Sequence, residues 1–245
     1  MIVSCAGMYR SGSTWQYQVA CELVRCAGRT HQKLGFLQGE PLVEFFGGPR
    51  DPQVCYLYKT HSPDPAHLTL SPDEVRTLYS YRDLRDVAWS MAYKIRESFD
   101  EAIRRTNFLG ECIASDAFWR SMPNVYVQRY ETWLGDNLSA VRGIAAHLGV
   151  GLPEAILSAI ADEFDLDRNR SRTDGFSRRM TAEGVNLYER DNRLLCDPES
   201  LLHWNHLRSG AVGQWRTLST VEDRAFLASA CGDWLAANGY EPDAG

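Results

Sequence analysis

The sequence predicts a single α/β domain over residues 1–245, with a central parallel β-sheet flanked by helices and a P-loop-like phosphate-binding strand–loop–helix at its start. Three observations predict it. At ~100–200 residues per domain the chain defaults to one core, and no repeat, linker or low-complexity tract divides it. Short apolar strands alternate with segments whose apolar residues recur at helical spacing, which calls for crossover units and a parallel sheet. The first strand runs straight into a Gly-bearing stretch that opens a helix. Composition agrees, with 44% apolar and 24% charged residues, a soluble globular profile that argues against a disordered or fibrous chain.

Taken in order, Ile2–Ala6 is a short apolar strand ending in Gly7–Thr14. Trp15–Ala27 carries Val19, Leu23 and Val24 at helical spacing and is closed by Gly28. Val54–Tyr58 is a second strand. Ser71-Pro72-Asp73-Glu74 is a helix-start signal. Thr77–Tyr81 is another strand, and Asp83 opens a helix to about Glu97. Asn124–Gln128 is a fourth strand. Val141–Leu148 is helical up to Gly149, Pro153–Phe164 is a further helix, and Thr220–Ala237 is a long closing one. Residues 165–210 are rich in Arg, Asp, Asn, Ser and Gly with weak periodicity, which predicts long loops and a possible lid.

Several classes are excluded at this level. No apolar run approaches the ~20 residues that span a bilayer, so no membrane association is expected. The N-terminus carries no basic leader. Seven cysteines, at 5, 21, 26, 55, 112, 196 and 231, show no metal-type pairing and read as reduced thiols of a cytoplasmic protein. The net charge of −6 offers no global field for nucleic acid, so an anionic ligand must meet a local cationic cluster. Of 26 basic residues only Lys33, Lys59 and Lys94 are lysines, a bias consistent with codon usage that still leaves Lys59 as a place where Arg is absent.

In parallel sheets ligands bind beyond the carboxyl ends of the strands, so those ends carry the chemistry. Arg10-Ser11-Gly12-Ser13-Thr14 follows the first strand. A helix N-terminus there offers free N–H groups, Gly12 lets an anion approach the backbone, Ser13 and Thr14 add hydroxyls, and Arg10 adds a forked donor set. The plain alternative is a strand–helix turn with Ser/Thr capping. The stretch lacks the Gly-Lys-Ser/Thr ending of a nucleoside triphosphatase loop. Lys59-Thr60-His61 follows the second strand. It can supply a base and a charge for a leaving group, or be a surface Lys beside a core-edge His. Arg82 and Ser90, a strand end and the next helix, can hold a second phosphate, or belong to an ordinary salt-bridged helix start with Asp83, Arg85 and Asp86.

Together these stretches resemble the PAPS-dependent sulfotransferases, PAPS being 3′-phosphoadenosine 5′-phosphosulfate. The family's 5′-phosphosulfate loop, roughly Pro-Lys-x-Gly-Thr-Thr-Trp, is answered by Tyr9-Arg10-Ser11-Gly12-Ser13-Thr14-Trp15. Its cytosolic Lys-Thr-His is matched outright by Lys59-Thr60-His61. Its 3′-phosphate motif, an Arg with a Ser eight residues on, is matched by Arg82 and Ser90 around Asp86-Val87. Its Tyr-Glu-Asp is similar to Tyr130-Glu131-Thr132. Its Arg-Lys-Gly and Gly-Asp-Trp-Lys are similar to Arg208-Ser209-Gly210 and Gly213-Gln214-Trp215-Arg216. The matches run in register from residue 2 to about 216. The departures are Arg10 for Lys, Ser209 for Lys, and Gln214 and Arg216 for Asp and Lys. The family's dimerisation signature is only partly present at Arg216, Thr220-Val221 and Ala225, so the expectation is a monomer or weak homodimer.

The resemblance implies in-line sulfuryl transfer from PAPS, with PAP (the desulfated product) left behind, to a hydroxyl of a phenol, alcohol or natural product of secondary metabolism. It implies His61 as general base and Lys59 with Arg10 at the bridging oxygen, with no metal. It implies Ser11, Gly12, Ser13 and Thr14 around the 5′ end. Arg82, Ser90, Arg208, Ser209, Gly210 and Tyr130 fall at the 3′-phosphate. Trp15 falls against adenine, and Phe176 on its other face unless it is a buried loop anchor. Residues 30–53 hold Phe36, Phe45 and Phe46, an apolar acceptor wall or core packing. Arg168, Arg170, Arg172, Arg178 and Arg179 either greet an acidic acceptor or form a solvated run. The competing readings are a P-loop small-molecule kinase, which would need the missing Gly-Lys-Ser/Thr, and a non-catalytic nucleotide-binding module, against which Lys59 and His61 speak.

Overall fold

Strand β1 (Ile2–Gly7) is buried at every residue and forms the middle of the sheet. The computed structural model describes residues 1–192 and 194–242. Its sheet has five parallel strands in the order β2-β3-β1-β4-β5, with β2 (His31–Phe36), β3 (Cys55–Thr60), β4 (Val75–Tyr81) and β5 (Val125–Arg129). A parallel sheet covered on both faces needs apolar residues on both sides of its inner strands, and β1 and β3 have them.

One face carries α1 (Ser13–Cys26), packed with α6 (Asn137–His147) and α7 (Glu154–Glu163) onto Val3, Cys5, Leu57 and Leu78. The opposite face sets α4 (Phe108–Ser121), through Trp119, on Ala6 and Tyr79. Next to α4 lie α3 (Leu84–Ile95) and the closing helix α10 (Val221–Ala237), joined through Val87, Ala88, Ile103 and Leu227. Shorter α-helices are α2 (Glu40–Gly47), α5 (Tyr130–Gly135) and α9 (Trp215–Leu218). The long helix α8 (Leu166–Ala182) leads into turns and a short 3₁₀ segment at Arg190–Asn192. No helix among the described residues is long and apolar enough to cross a membrane.

Two expectations are corrected. Ser71–Glu74 starts no helix: it forms a turn into β4, and Ile2 N–H already donates to the Glu74 carbonyl at 2.7 Å. The run Val75-Arg76-Thr77-Leu78-Tyr79, β-branched and aromatic, favours a strand over the local Pro-Asp signal. Residues 165–210 are not loop-rich throughout, because 166–182 is helix α8, capped by the Asp165 carboxylate accepting from Arg168 N–H at 2.7 Å. Its buried residues, Asn169, Thr173 and Phe176, keep helical spacing, but two of them are polar, so the usual apolar signature is missing. The loop character holds from 183 onward.

The other expected elements fall within a few residues of expectation, whereas β2, α2, α4 and α5 were not expected. Asp83 caps α3 by accepting from Arg85 N–H at 2.9 Å. Thr220 and Asp223 form a capping box on α10. Three connections end where β1, β3 and β4 end in register, Ala6 beside Thr60 and Gly7 beside Ser80. The loops after these strands therefore converge on one edge of the sheet.

Candidate active site

The loop after β1 is held open by glycine and buried hydroxyls. A Cβ on Gly7 would lie 2.6 Å from both Ser13 Cβ and Ser80 Oγ. Gly12 takes φ 92° as the residue before α1, and a Cβ there would lie 2.6 Å from the Trp133 ring. Only glycine fits both demands. Arg10 also adopts a left-handed backbone, φ 63°, which turns its side chain over the loop. Ser11 points inward: its hydroxyl donates to the Met8 carbonyl at 2.6 Å and sits 2.8 Å from Ser80 Oγ. Ser11 can therefore offer a ligand no hydroxyl. Ser13 and Thr14 face the cavities described next.

Two cavities open at this edge. A narrow cleft of about 70 Å³ runs from Arg10 and Gly12 past Arg82 and Ser90 to Arg208 and Gly210. A larger cavity of about 390 Å³ holds Lys59, His61, Phe36 and Tyr9 in its wall. Arg10, Gly12, Thr14 and His206 line both, so the cavities meet at the loop after β1.

In the narrow cleft, Arg10 Nε donates to Ser90 Oγ at 2.9 Å, and its terminal nitrogen donates to the His206 carbonyl. Arg82 is 4% exposed and donates to the Ala211 carbonyl at 2.8 Å. Its guanidinium lies 4.1 Å over the Tyr130 ring, and Asp86 sits 3.4 Å away. Arg82 Nε is buried, with no hydrogen-bond partner among the described residues. A buried N–H left unpaired in a cationic cleft suits an anionic oxygen. Asp86 in turn accepts from the N–H groups of Gly213 at 2.7 Å and Trp215 at 3.1 Å, tying the tail segment to α3. Tyr130 OH donates to the Gly210 carbonyl at 2.7 Å.

The Lys59-Thr60-His61 tripeptide is ordered by the end of β1. The His61 ring has Nδ1 2.7 Å from the Gly7 carbonyl and Nε2 2.8 Å from Lys59 Nζ. The carbonyl can only accept, so Nδ1 carries the proton and Nε2 the lone pair. Tyr9 stacks on the imidazole at 4.5 Å. Burial pushes His61 well below the usual imidazole range, and the Lys59 and Arg10 charges add to the depression. Burial, then Arg10, pushes Lys59 down to about 7. Arg10 itself is lowered to about 10 by burial and by Arg82. These are the signs expected where buried cations crowd together.

Not every expected residue joins the site. Phe176 is 5% exposed, lies under the Arg179 guanidinium at 5.3 Å, and lines neither cavity. It is a buried anchor of α8. Trp15 reaches the cleft, but one of its faces is taken by Trp133, stacked at 4.2 Å and 4°. Phe36 lines the large cavity, whereas Phe45 and Phe46 pack with Tyr58 in the core beneath α2. Four of the five α8 arginines turn to carboxylates nearby: Arg168 and Arg172 to Glu163, Arg170 to Asp167, Arg179 to Asp197. Ser209, expected as a contact, offers its carbonyl to Arg170 at 2.9 Å. Arg208 is exposed and reaches the cleft over Tyr93 at 5.4 Å.

Sequence reasoning missed Trp133, Lys94, His203 and His206. Trp133 lies three residues past Tyr130, and Lys94 lies one helical turn past Ser90 on the same face. That second spacing was a usable signal. The two histidines sit in a segment without periodicity.

Comparison with solved structures follows the same outline. Retinol dehydratase in complex with androsterone and inactive cofactor PAP superposes with a TM-score of 0.63 at 20% identity, covering 96% of this chain and 80% of that one. The complex of retinol dehydratase with retinol and PAP gives 0.65 at 19% identity, over 96% and 81%. Mouse sulfotransferase SULT7A1 complexed with PAP gives 0.67 at 16% identity, over 96% and 84%. The chain has the sulfotransferase fold. No family model and no curated protein matches the sequence.

Proposed function

We propose that this protein is a sulfotransferase that moves a sulfuryl group from PAPS to a hydroxyl of a small molecule. The observation that carries the reading is the junction of the two cavities at Arg10, Gly12, Thr14 and His206, with Lys59 and His61 on the wall of the larger one. A donor in the narrow cleft and an acceptor in the wide one would then meet beside a base. The fold neighbours, held with PAP and with retinol or androsterone, support this division of labour.

The residues of the narrow cleft fit an adenosine 3′,5′-bisphosphate. Arg82, with its unpartnered Nε, together with Ser90 and Arg208 would hold the 3′-phosphate, and Tyr130 supports Arg82 from below. The α1 N-terminus, Ser13 and Thr14 would hold the 5′ end. Trp15, backed by Trp133, would present a rigid aromatic face to the base. PAPS, when bound, supplies the sulfuryl group and a phosphate leaving group.

His61 takes the acceptor proton at Nε2, with the Gly7 carbonyl holding the ring in the correct tautomer. For that, Lys59 must leave Nε2. A developing negative charge at the phosphate bridge is the natural attractor for the ammonium, and Arg10 lies alongside to share it. One movement of Lys59 would thus stabilise the leaving oxygen and free the base. The loose transition state of such transfers needs positioned cations more than covalent chemistry.

Incubation with radiolabelled PAPS and a panel of phenols and alcohols tests the reading. Transfer of label to an acceptor, lost in His61→Ala, is the expected result. Tight PAP binding with no transfer to any acceptor would instead favour a nucleotide-binding module.

A further inference from the structure

The two cavities meet at Arg10, Gly12, Thr14 and His206. The first three belong to the loop after β1 and the start of α1. His206 comes from the segment after α8, 196 residues further along the chain than Arg10. In-line transfer from a donor in the narrow cleft to an acceptor in the wide cavity carries the sulfuryl group through that junction. Neither the base nor the leaving oxygen calls on His206.

The His206 ring is held in one tautomer. The His203 backbone N–H donates to its Nδ1 at 3.3 Å. A backbone N–H can only donate, so Nδ1 is the lone-pair nitrogen and the proton sits on Nε2. The His206 carbonyl accepts from the Arg10 guanidinium, and the ring stacks on His203 at 5.6 Å with 18° between the planes. Backbone, ring plane and one ring nitrogen are thus fixed, while Nε2–H has no hydrogen-bond partner among the described residues. Burial, then Arg10, holds this imidazole well below its usual range, so it is neutral at ordinary pH. His61 and His206 are set oppositely. The Gly7 carbonyl engages Nδ1–H of His61 and leaves a lone pair at Nε2. The His203 N–H engages the Nδ1 lone pair of His206 and leaves a donor at Nε2.

A neutral donor suits this place. Arg10, Lys59 and Arg82 already crowd positive charge there, and a further cation would be opposed by them. An uncharged N–H meets no such opposition and can still bind one oxygen of an anionic group. We propose that His206 is a catalytic residue of the sulfuryl transfer: its Nε2–H donates to a non-bridging oxygen of the sulfuryl group as that group passes between the cavities. The inference rests on the sulfotransferase reading. In this step the bond from sulfur to the phosphate bridge breaks, and its electron pair leaves on the oxygen that stays with the PAP 5′-phosphate. A bond from sulfur to the acceptor oxygen forms, and the acceptor proton goes to His61 Nε2. The His206 proton stays on its nitrogen, where it holds the group in line and offsets the charge on its oxygens.

Two substitutions separate the donor from the scaffold. His206→Asn puts an amide oxygen where Nδ1 stands and keeps the His203 contact, but has nothing at the Nε2 position. His206→Gln reaches that position with an amide N–H. Turnover is measured with PAPS and any acceptor active in the panel above, and as acceptor-free hydrolysis of PAPS to PAP and sulfate. His206→Asn should lower kcat by about 10–100-fold, the size of one hydrogen bond to a charged group. His206→Gln should recover most of that loss. PAP carries no sulfuryl group, so its affinity for both variants, by calorimetry, should match the wild type, as should the acceptor KM. Four results overturn the inference and leave the sulfotransferase reading standing: an unchanged kcat in His206→Asn, a loss confined to the acceptor KM, a fall in PAP affinity as large as the fall in kcat, or a Gln variant no better than the Asn one. Failure of the wild type to bind PAP or to transfer the sulfuryl group sinks both.

Discussion

The Lys59 ammonium lies 2.8 Å from Nε2 of His61, so the nitrogen that would take the acceptor proton is occupied before the donor arrives. The opposite ring nitrogen is fixed on the Gly7 carbonyl at 2.7 Å, which leaves the imidazole no second way to act as base. His61→Ala should therefore lower kcat by about 10²–10⁴-fold, the usual range for a general base. PAP affinity, measured by calorimetry, should change little. An equal loss of PAP affinity would show that the ring serves to build the donor site.

The crowding of cations predicts proton uptake on binding. Lys59, lowered to about 7, is largely neutral at pH 8 in the free protein. An anion in the adjoining cleft favours the charged form and raises that value toward the ordinary one. The complex then holds more protons than the free protein. Calorimetry with PAP in HEPES and in Tris at pH 8 should show net uptake approaching one proton. Affinity should fall between pH 7 and 9, by at most about tenfold per unit for each proton taken up. Zero uptake, or release, would contradict the proximity of Lys59 to the phosphate.

In the proposed reading Arg82 serves both the ligand and the fold. Arg82→Ala removes a contact to the Ala211 carbonyl and the guanidinium beside Asp86, while Asp86 keeps its two backbone donors from Gly213 and Trp215. The variant should fold with a lowered Tm. Its PAP affinity should drop about 10–100-fold, as for loss of one charged hydrogen bond or a little more. The rise in Tm on adding saturating PAP should shrink accordingly. An undiminished rise would place the 3′-phosphate elsewhere.

Gly12 is the backbone position with least tolerance. Gly12→Ala forces a side chain into φ 92° and against Trp133 at 2.6 Å. Urea unfolding should show a loss of about 1–3 kcal/mol, and PAP affinity should fall with it because the loop and the Trp15–Trp133 stack shift together. Wild-type stability in this variant would mean that the loop has room that the geometry denies.

Much of this site was legible in the sequence because it depends on strand ends. Gly7, Lys59 and Arg82 stand where buried strands stop, and a run of apolar residues ending in a polar one marks that place without any knowledge of the sheet order. The order β2-β3-β1-β4-β5 was not legible, since pairing is set by contacts between distant segments. Helix α8 escaped because Asn169 and Thr173, polar residues, fill its buried face. Trp15 was read as free to stack on a base, but Trp133, over a hundred residues away, occupies one of its faces. The placement of His203 and His206 over the cavity depends on the loop after residue 183, whose path follows from packing and not from any local period.

The most direct measurement of the central claim is a calorimetric titration of the purified protein with PAP, adenosine 5′-monophosphate, ATP and GTP under the same conditions. If the cleft through Arg10, Arg82 and Ser90 holds a nucleotide at both its phosphates, PAP should bind at least about 100-fold more tightly than the monophosphate, as two charged contacts to the added 3′-phosphate would give, and more tightly than either triphosphate. Equal binding of PAP and the monophosphate, or tighter binding of ATP or GTP, would contradict it.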